Sequence, residues 1–118
     1  MPALDPELKS ILRWLRKEHP LDKVVRVWIS PKMPSDALGF FDDVKGWYSI
    51  RIAPGMPLIE QREILLHEWA HGLTNAHQDM ARSKMDHDSI FTHAYQDLVM
   101  AFEEAFPHLK LRRHRVAG

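Results

Sequence analysis

The apolar residues of this chain change period twice, and that change restricts the fold more than any single motif does. Leu8, Ile11, Leu12 and Leu15 recur at i, i+3, i+4 and i+7, the stripe of an amphipathic helix, and Asp5 followed by Pro6 supplies an N-cap with proline at the first helical position. That helix ends near His19-Pro20. From Val24 to Ile29 the period drops to two, with Val25, Val27 and Ile29 on one face and Val24, Arg26 and Trp28 on the other, which predicts a strand. A proline-bearing loop from Ser30 to Asp36 leads to Leu38-Gly39-Phe40-Phe41, and Asp42 to Gly46 turns the chain into Trp47 to Ala53, a β-hairpin in which Tyr48, Ile50 and Ile52 alternate with Trp47, Ser49 and Arg51. After Pro54-Gly55-Met56-Pro57 helical spacing returns. It predicts a helix over 58–73 that buries Leu65, Leu66, Trp69 and Leu73. A last helix over 88–106 has a stripe of Phe91, Ala94, Tyr95, Leu98, Phe102 and Ala105 and stops before Pro107. Between them, Thr74 to Asp86 is polar and weakly periodic, which predicts a loop of the length at which loops tend to carry function. The order α-β-β-β-α-α predicts an α+β domain over residues 1–109, with helices covering one face of a three-stranded antiparallel sheet. Residues 110–118, with Lys110, Arg112, Arg113 and Arg115, read as a basic, flexible tail.

The chain's 118 residues suit one core, and sixteen Lys plus Arg balance sixteen Asp plus Glu, so no global charge excess argues for nucleic acid or an anionic membrane. No apolar run approaches the roughly 18 to 20 residues of a membrane span, and MPALDPELKS lacks the basic-then-apolar pattern of a secretory signal, so the expected location is cytoplasmic. The absence of cysteine removes disulfides, thiolate metal sites and cysteine nucleophiles, leaving imidazole and carboxylate as the strong metal ligands. The chain has eight histidines, which makes the positions of His67, His71, His77, His87 and His93 informative.

His67-Glu68-Trp69-Ala70-His71 falls on the helix read over 58–73. Residues four apart share a helical face, so His67 and His71 can point two imidazoles at one ion while Glu68 flanks an open coordination position. Zinc so held polarises a carbonyl and acidifies water, and a neighbouring glutamate can take the water's proton and pass it to a leaving amine, which are the steps of peptide hydrolysis. The bland alternative is a helix with two surface histidines.

The run Ile64 to His71, together with Asp86-His87-Asp88-Ser89-Ile90-Phe91, resembles the SprT-like and small phage or bacterial zinc metallopeptidases, in which a third histidine opens the next helix. The resemblance covers about Leu38 to Phe106. It implies a minimal zincin-like fold, one zinc ion per chain on His67, His71 and His87, Glu68 as general base, and a peptide or protein substrate. It departs at Asp88-Ser89, where Gly-Pro is usual; Asp or Ser can cap a helix there. Two other third ligands stay open. His77 stands where a metzincin ligand would, although Thr74 occupies the place of that motif's glycine, and Glu103 would serve as in gluzincins. His93 and Tyr95 can approach the site as oxyanion donors or remain a surface and a core residue. Asp86 and Asp88 can orient a ligand ring or cap the helix. Trp47, Ser49 and Arg51 either line a cleft where an extended peptide adds by backbone pairing or form a solvated sheet face. The basic tail raises contact with nucleic acid as a lesser option, and the alternative to an enzyme is a non-catalytic module on the same fold that binds protein or DNA.

Overall fold

The computed structural model describes residues 4–80 and 84–111, those at 76–80 and 84–88 by backbone alone. Its elements are α1 (Pro6–Glu18), β1 (Val24–Ile29), β2 (Gly39–Val44), β3 (Trp47–Ile52), α2 (Leu58–Met80) and α3 (Lys84–Ala105), with one 3-10 turn over Pro34–Asp36. Helix α1 follows its sequence signals closely. The Asp5 carboxylate accepts from the Glu7 backbone N–H at 2.8 Å, Arg16 and Lys17 sit in the last turn, and Leu8, Ile11, Leu12 and Leu15 are all buried.

The sheet order is β1-β3-β2. β2 and β3 are antiparallel, but β1 runs parallel to β3, so the sheet is mixed, not wholly antiparallel as the element order predicted. The hairpin turn is only Lys45-Gly46, both at positive φ, and Asp42, Asp43 and Val44 belong to β2. A tight turn forces β2 and β3 to pair antiparallel. The residues from Ser30 to Leu38 are long enough to cross two inter-strand spacings, about 10 Å, and leave a gap into which β3 inserts. β3 takes the centre because it has most to bury: Tyr48, Ser49, Ile50 and Ile52 all lie within the protein.

One face of the sheet carries the core. Val25, Ile29, Tyr48, Ile50 and Ile52 join Leu8, Ile11 and Leu15 of α1, Leu65, Leu66 and Trp69 of α2, and Leu98 and Phe102 of α3 in a single cluster, giving two layers. Leu111 also packs into it, and the Arg62 guanidinium donates to the Lys110 carbonyl at 2.9 Å, so the chain is tied down at the start of the basic segment. Arg112, Arg113 and Arg115 lie outside the described residues. No described helix is long and apolar enough to cross a membrane.

Helix α2 does not end at Leu73. It runs on to Met80, and α3 already begins at Lys84, so most of the stretch read as a loop is helical. Gly72, inside the helix, is a contact residue: a Cβ there would come 2.7 Å from Leu21 Cδ1. A helix-interior glycine costs about 1 kcal/mol against alanine, and here close packing offsets that cost. Thr74 is buried and its hydroxyl donates to the Ala70 carbonyl at 3.0 Å. One residue further, the Asn75 amide donates to Asp43 at 3.1 Å and to the Tyr48 hydroxyl at 3.5 Å. Tyr48 in turn donates to Asp22 at 2.6 Å. Burial, with the Asp22 bond adding to it, pushes the Tyr48 phenol up to about 12. These polar contacts hold the extension of α2 against the sheet. Tyr48→Phe removes the shared hydroxyl and should lower unfolding stability by about 1 kcal/mol, read as a lower urea midpoint at unchanged slope.

Candidate metal centre

The phase of α2 decides where its chemistry points. Leu65, Leu66, Trp69 and Ala70 are buried in the core, and the Trp69 indole N–H donates to the His19 carbonyl at 2.8 Å, which fastens the helix to the end of α1. With those positions turned inward, His67 and His71 are half-buried on the flank that meets α3. Their ring centroids are 4.9 Å apart. Two imidazoles on one tetrahedral zinc, each with a metal–nitrogen bond of about 2.0–2.1 Å, have ring centres roughly 5 Å apart, so the pair fits shared ligation.

Two aromatic residues of α3 frame the pair. Phe91 stacks on His71 with centroids 4.2 Å apart and an interplanar angle of 24°, and meets His67 edge-on at 4.9 Å. Tyr95 lies 5.4 Å from His67 and parallel to Phe91 at 5.9 Å. Periodicity alone assigned Phe91 to the core stripe; its position four residues after His87 and four before Tyr95 was the available sign that it shares a face with site residues.

Glu68, about 60° round the helix from His71, lies on the adjoining flank, against β2. Its carboxylate accepts a hydrogen bond from the Phe41 backbone N–H, and burial pushes its pKa up to about 7 against the smaller, opposing effect of that bond. It is 8% exposed. The close approach depends on Gly39, where a Cβ would stand 2.3 Å from Ile64 Cγ2 and 3.0 Å from Glu68 Oε2. A carboxyl that exchanges its proton near neutrality is suited to taking and returning one.

The remaining candidates separate. Glu103 lies twelve residues beyond Phe91 on α3, about 18 Å along the helix axis, too far to share an ion with His67 and His71. His93 is exposed, with Nδ1 3.1 Å from the Ser89 carbonyl of its own helix. Trp47, Ser49 and Arg51 lie on the central strand, which is flanked on both sides, so no peptide can add to it. The backbone of His77 lies in α2 and that of His87 in α3. Their side chains, like those of Asp86 and Asp88, are outside the described residues. Among the described residues no three His, Cys, Asp or Glu side chains converge as metal ligands. No family model, curated protein or solved structure matches the chain.

The raised pKa of Glu68 makes a signed prediction for chelator-treated protein. Below the unfolded value of about 4.5 the carboxyl is neutral in both states; as pH rises through about 7 the folded state must carry a buried charge and loses stability. Glu68→Gln should therefore match wild type near pH 4 and exceed it at pH 8 by about 1–3 kcal/mol, measured by thermal unfolding across that range.

Proposed function

We propose that the protein is a zinc-dependent metallopeptidase of the SprT-like kind, with His67, His71 and His87 holding one ion and Glu68 acting as general base. The observation that carries this reading is the joint arrangement on α2: two imidazoles at ligand separation and, between them in sequence, a buried carboxyl whose pKa lies near 7. A helix that merely exposed two histidines would have no reason to bury the intervening glutamate against a strand at a cost in ionisation energy. His87 stands one helical turn before Phe91, the residue stacked on His71, which favours it over His77 and Glu103 as third ligand.

Zinc, when bound, supplies Lewis acidity toward a carbonyl oxygen and lowers the pKa of water. The protein's own groups do the rest. Glu68 accepts the proton of the attacking water, helped by a pKa that lets it hold that proton briefly, and returns it to the departing amine nitrogen. The Phe41 N–H fixes the carboxylate's orientation, so the acceptor oxygen does not have to be found at each turnover. β2 is the edge strand beside α2, and its outer backbone can align an extended peptide.

Zinc per chain, measured by elemental mass spectrometry after gel filtration, tests the ligand set. About one zinc is expected in wild type, Glu68→Gln and His77→Ala, and little in His71→Ala and His87→Ala. Glu68→Gln should then hold zinc yet lose peptide hydrolysis by roughly a hundredfold or more. Loss of metal in His77→Ala with retention in His87→Ala would exchange the third ligand. Full peptidase activity in Glu68→Gln would sink the mechanism, and a wild type that cannot be loaded would turn the reading to a non-catalytic binding module.

A further inference from the structure

The sheet has a second face that none of the chemistry above uses. Strand register sets its side chains in rows. Arg51 of β3 lies between Trp28 of β1 and Phe40 of β2, and Arg26, Ser49 and Asp42 form the next row. Trp47 sits one row further, paired with Val24, which is 70% exposed. None of these apolar side chains belongs to the core cluster or to the hydrophobics packed against it, which include the opposite-facing neighbours Val27 and Phe41. Trp28, Phe40 and Trp47 are half-buried. The Arg26 guanidinium lies 5.2 Å from the Trp47 ring, and that of Arg51 lies 5.0 Å from the Phe40 ring.

We infer that this face binds single-stranded nucleic acid, with bases stacking on Trp28, Phe40 and Trp47 and phosphates taken by Arg26 and Arg51. Each part of the surface matches one part of that ligand. Trp47 and Arg51 are four residues apart on β3, about 13 Å, so the aromatic groups at the two ends take separate bases. A guanidinium over a ring keeps its N–H edge, and cation–π contact uses none of its hydrogen bonds; Arg51 gives one N–H to the Lys32 carbonyl at 3.5 Å and has others to offer a phosphate. The face carries two arginines against Asp42 in a chain of zero formal net charge, so its positive character is local. A second copy laid face to face would bring like charges together. An acidic peptide would satisfy the arginines and offer the three aromatic rings nothing flat to stack on.

The inference does not rest on the peptidase reading, because the face lies on the side of the sheet away from the core on which α2 packs. The test is fluorescence anisotropy of the full chain with fluorescein-labelled octathymidylate and octauridylate at about 50 mM salt, repeated as salt is raised. Micromolar binding is expected, with a log–log salt slope of about −1.4 for two phosphates on a single strand. Arg26→Ala and Arg51→Ala should each reduce the slope by about 0.7. Trp47→Ala should weaken binding about tenfold and Trp47→Tyr should restore most of it, with circular dichroism unchanged throughout. Treatment with EDTA should leave the anisotropy as it was, which separates this result from the fate of the metal centre. No binding would overturn the inference, as would binding indifferent to all three alanine variants, which would place the contact elsewhere on the chain. Equal binding of octaglutamate would overturn it in favour of an acidic protein partner.

Discussion

The burial of one face of α2 is the interaction on which the rest depends. Leu65, Leu66, Trp69 and Ala70 lock the helix to the sheet and to α1, and the Trp69 indole bond to His19 fixes its rotation. At about 100° per residue, a helix with those positions inward has no choice about the others. His67 and His71 must flank α3, and Glu68 must face β2. The hydrophobic effect, with no preference of its own for chemistry, thereby sets the two imidazoles of a five-residue motif toward α3 and its carboxyl on the adjoining flank, toward β2. A turn of the helix by one residue that set Glu68 in the place of Trp69 would drive a carboxyl into the apolar core and bring Leu66 out to the half-buried flank of His67, so stability of the fold and geometry of the site are one constraint.

The second constraint is the approach of α2 to the edge strand. Gly39 is the residue that permits it, because any side chain there would strike Ile64 and Glu68. Closeness gives Glu68 both its burial and its hydrogen bond from Phe41, and these act on its pKa in opposite directions. Desolvation wins. A carboxylate left in solvent would be ionised throughout the neutral range and a poor carrier of a proton; one buried without the Phe41 N–H would have no fixed direction. The strand therefore tunes the glutamate while it orders it.

Local signals in the sequence were legible wherever one residue's immediate neighbours decide structure. The Asp5-Pro6 cap, the α1 stripe, the alternation in β1 and β3 and the α2 segment around the histidines all follow from period and capping chemistry. Two features were not legible because they depend on distant partners. The parallel pairing of β1 with β3 is a matter of which strand fills a gap, and nothing within Val24 to Ile29 encodes it. The continuation of α2 past Leu73 depends on Leu21, Asp43 and Tyr48, residues from three other parts of the chain, which hold a polar, weakly periodic stretch in helical form. At the site, the His67 and His71 pair was readable from spacing, whereas Phe91 showed only through its four-residue spacing from His87 and Tyr95, because its place on an apolar stripe does not tell whether the surface it covers is imidazole or leucine.

A two-layer domain must leave one sheet face uncovered, and ordinarily that face is polar, since alternation sends apolar residues inward. Here it is not. Trp28, Phe40 and Trp47 stand where the pattern calls for solvated side chains, and in a three-stranded sheet they make up a third of the nine outward positions. Arg26 and Arg51 lie over two of these rings, which shields part of their area while keeping charge at the surface. That arrangement limits self-association without removing the rings from reach. Had solubility been the sole demand, Ser, Thr or Lys at these positions would have met it with no apolar area to cover. The aromatic residues gain no packing against the described core in return, which is why the role inferred for them is contact with a ligand.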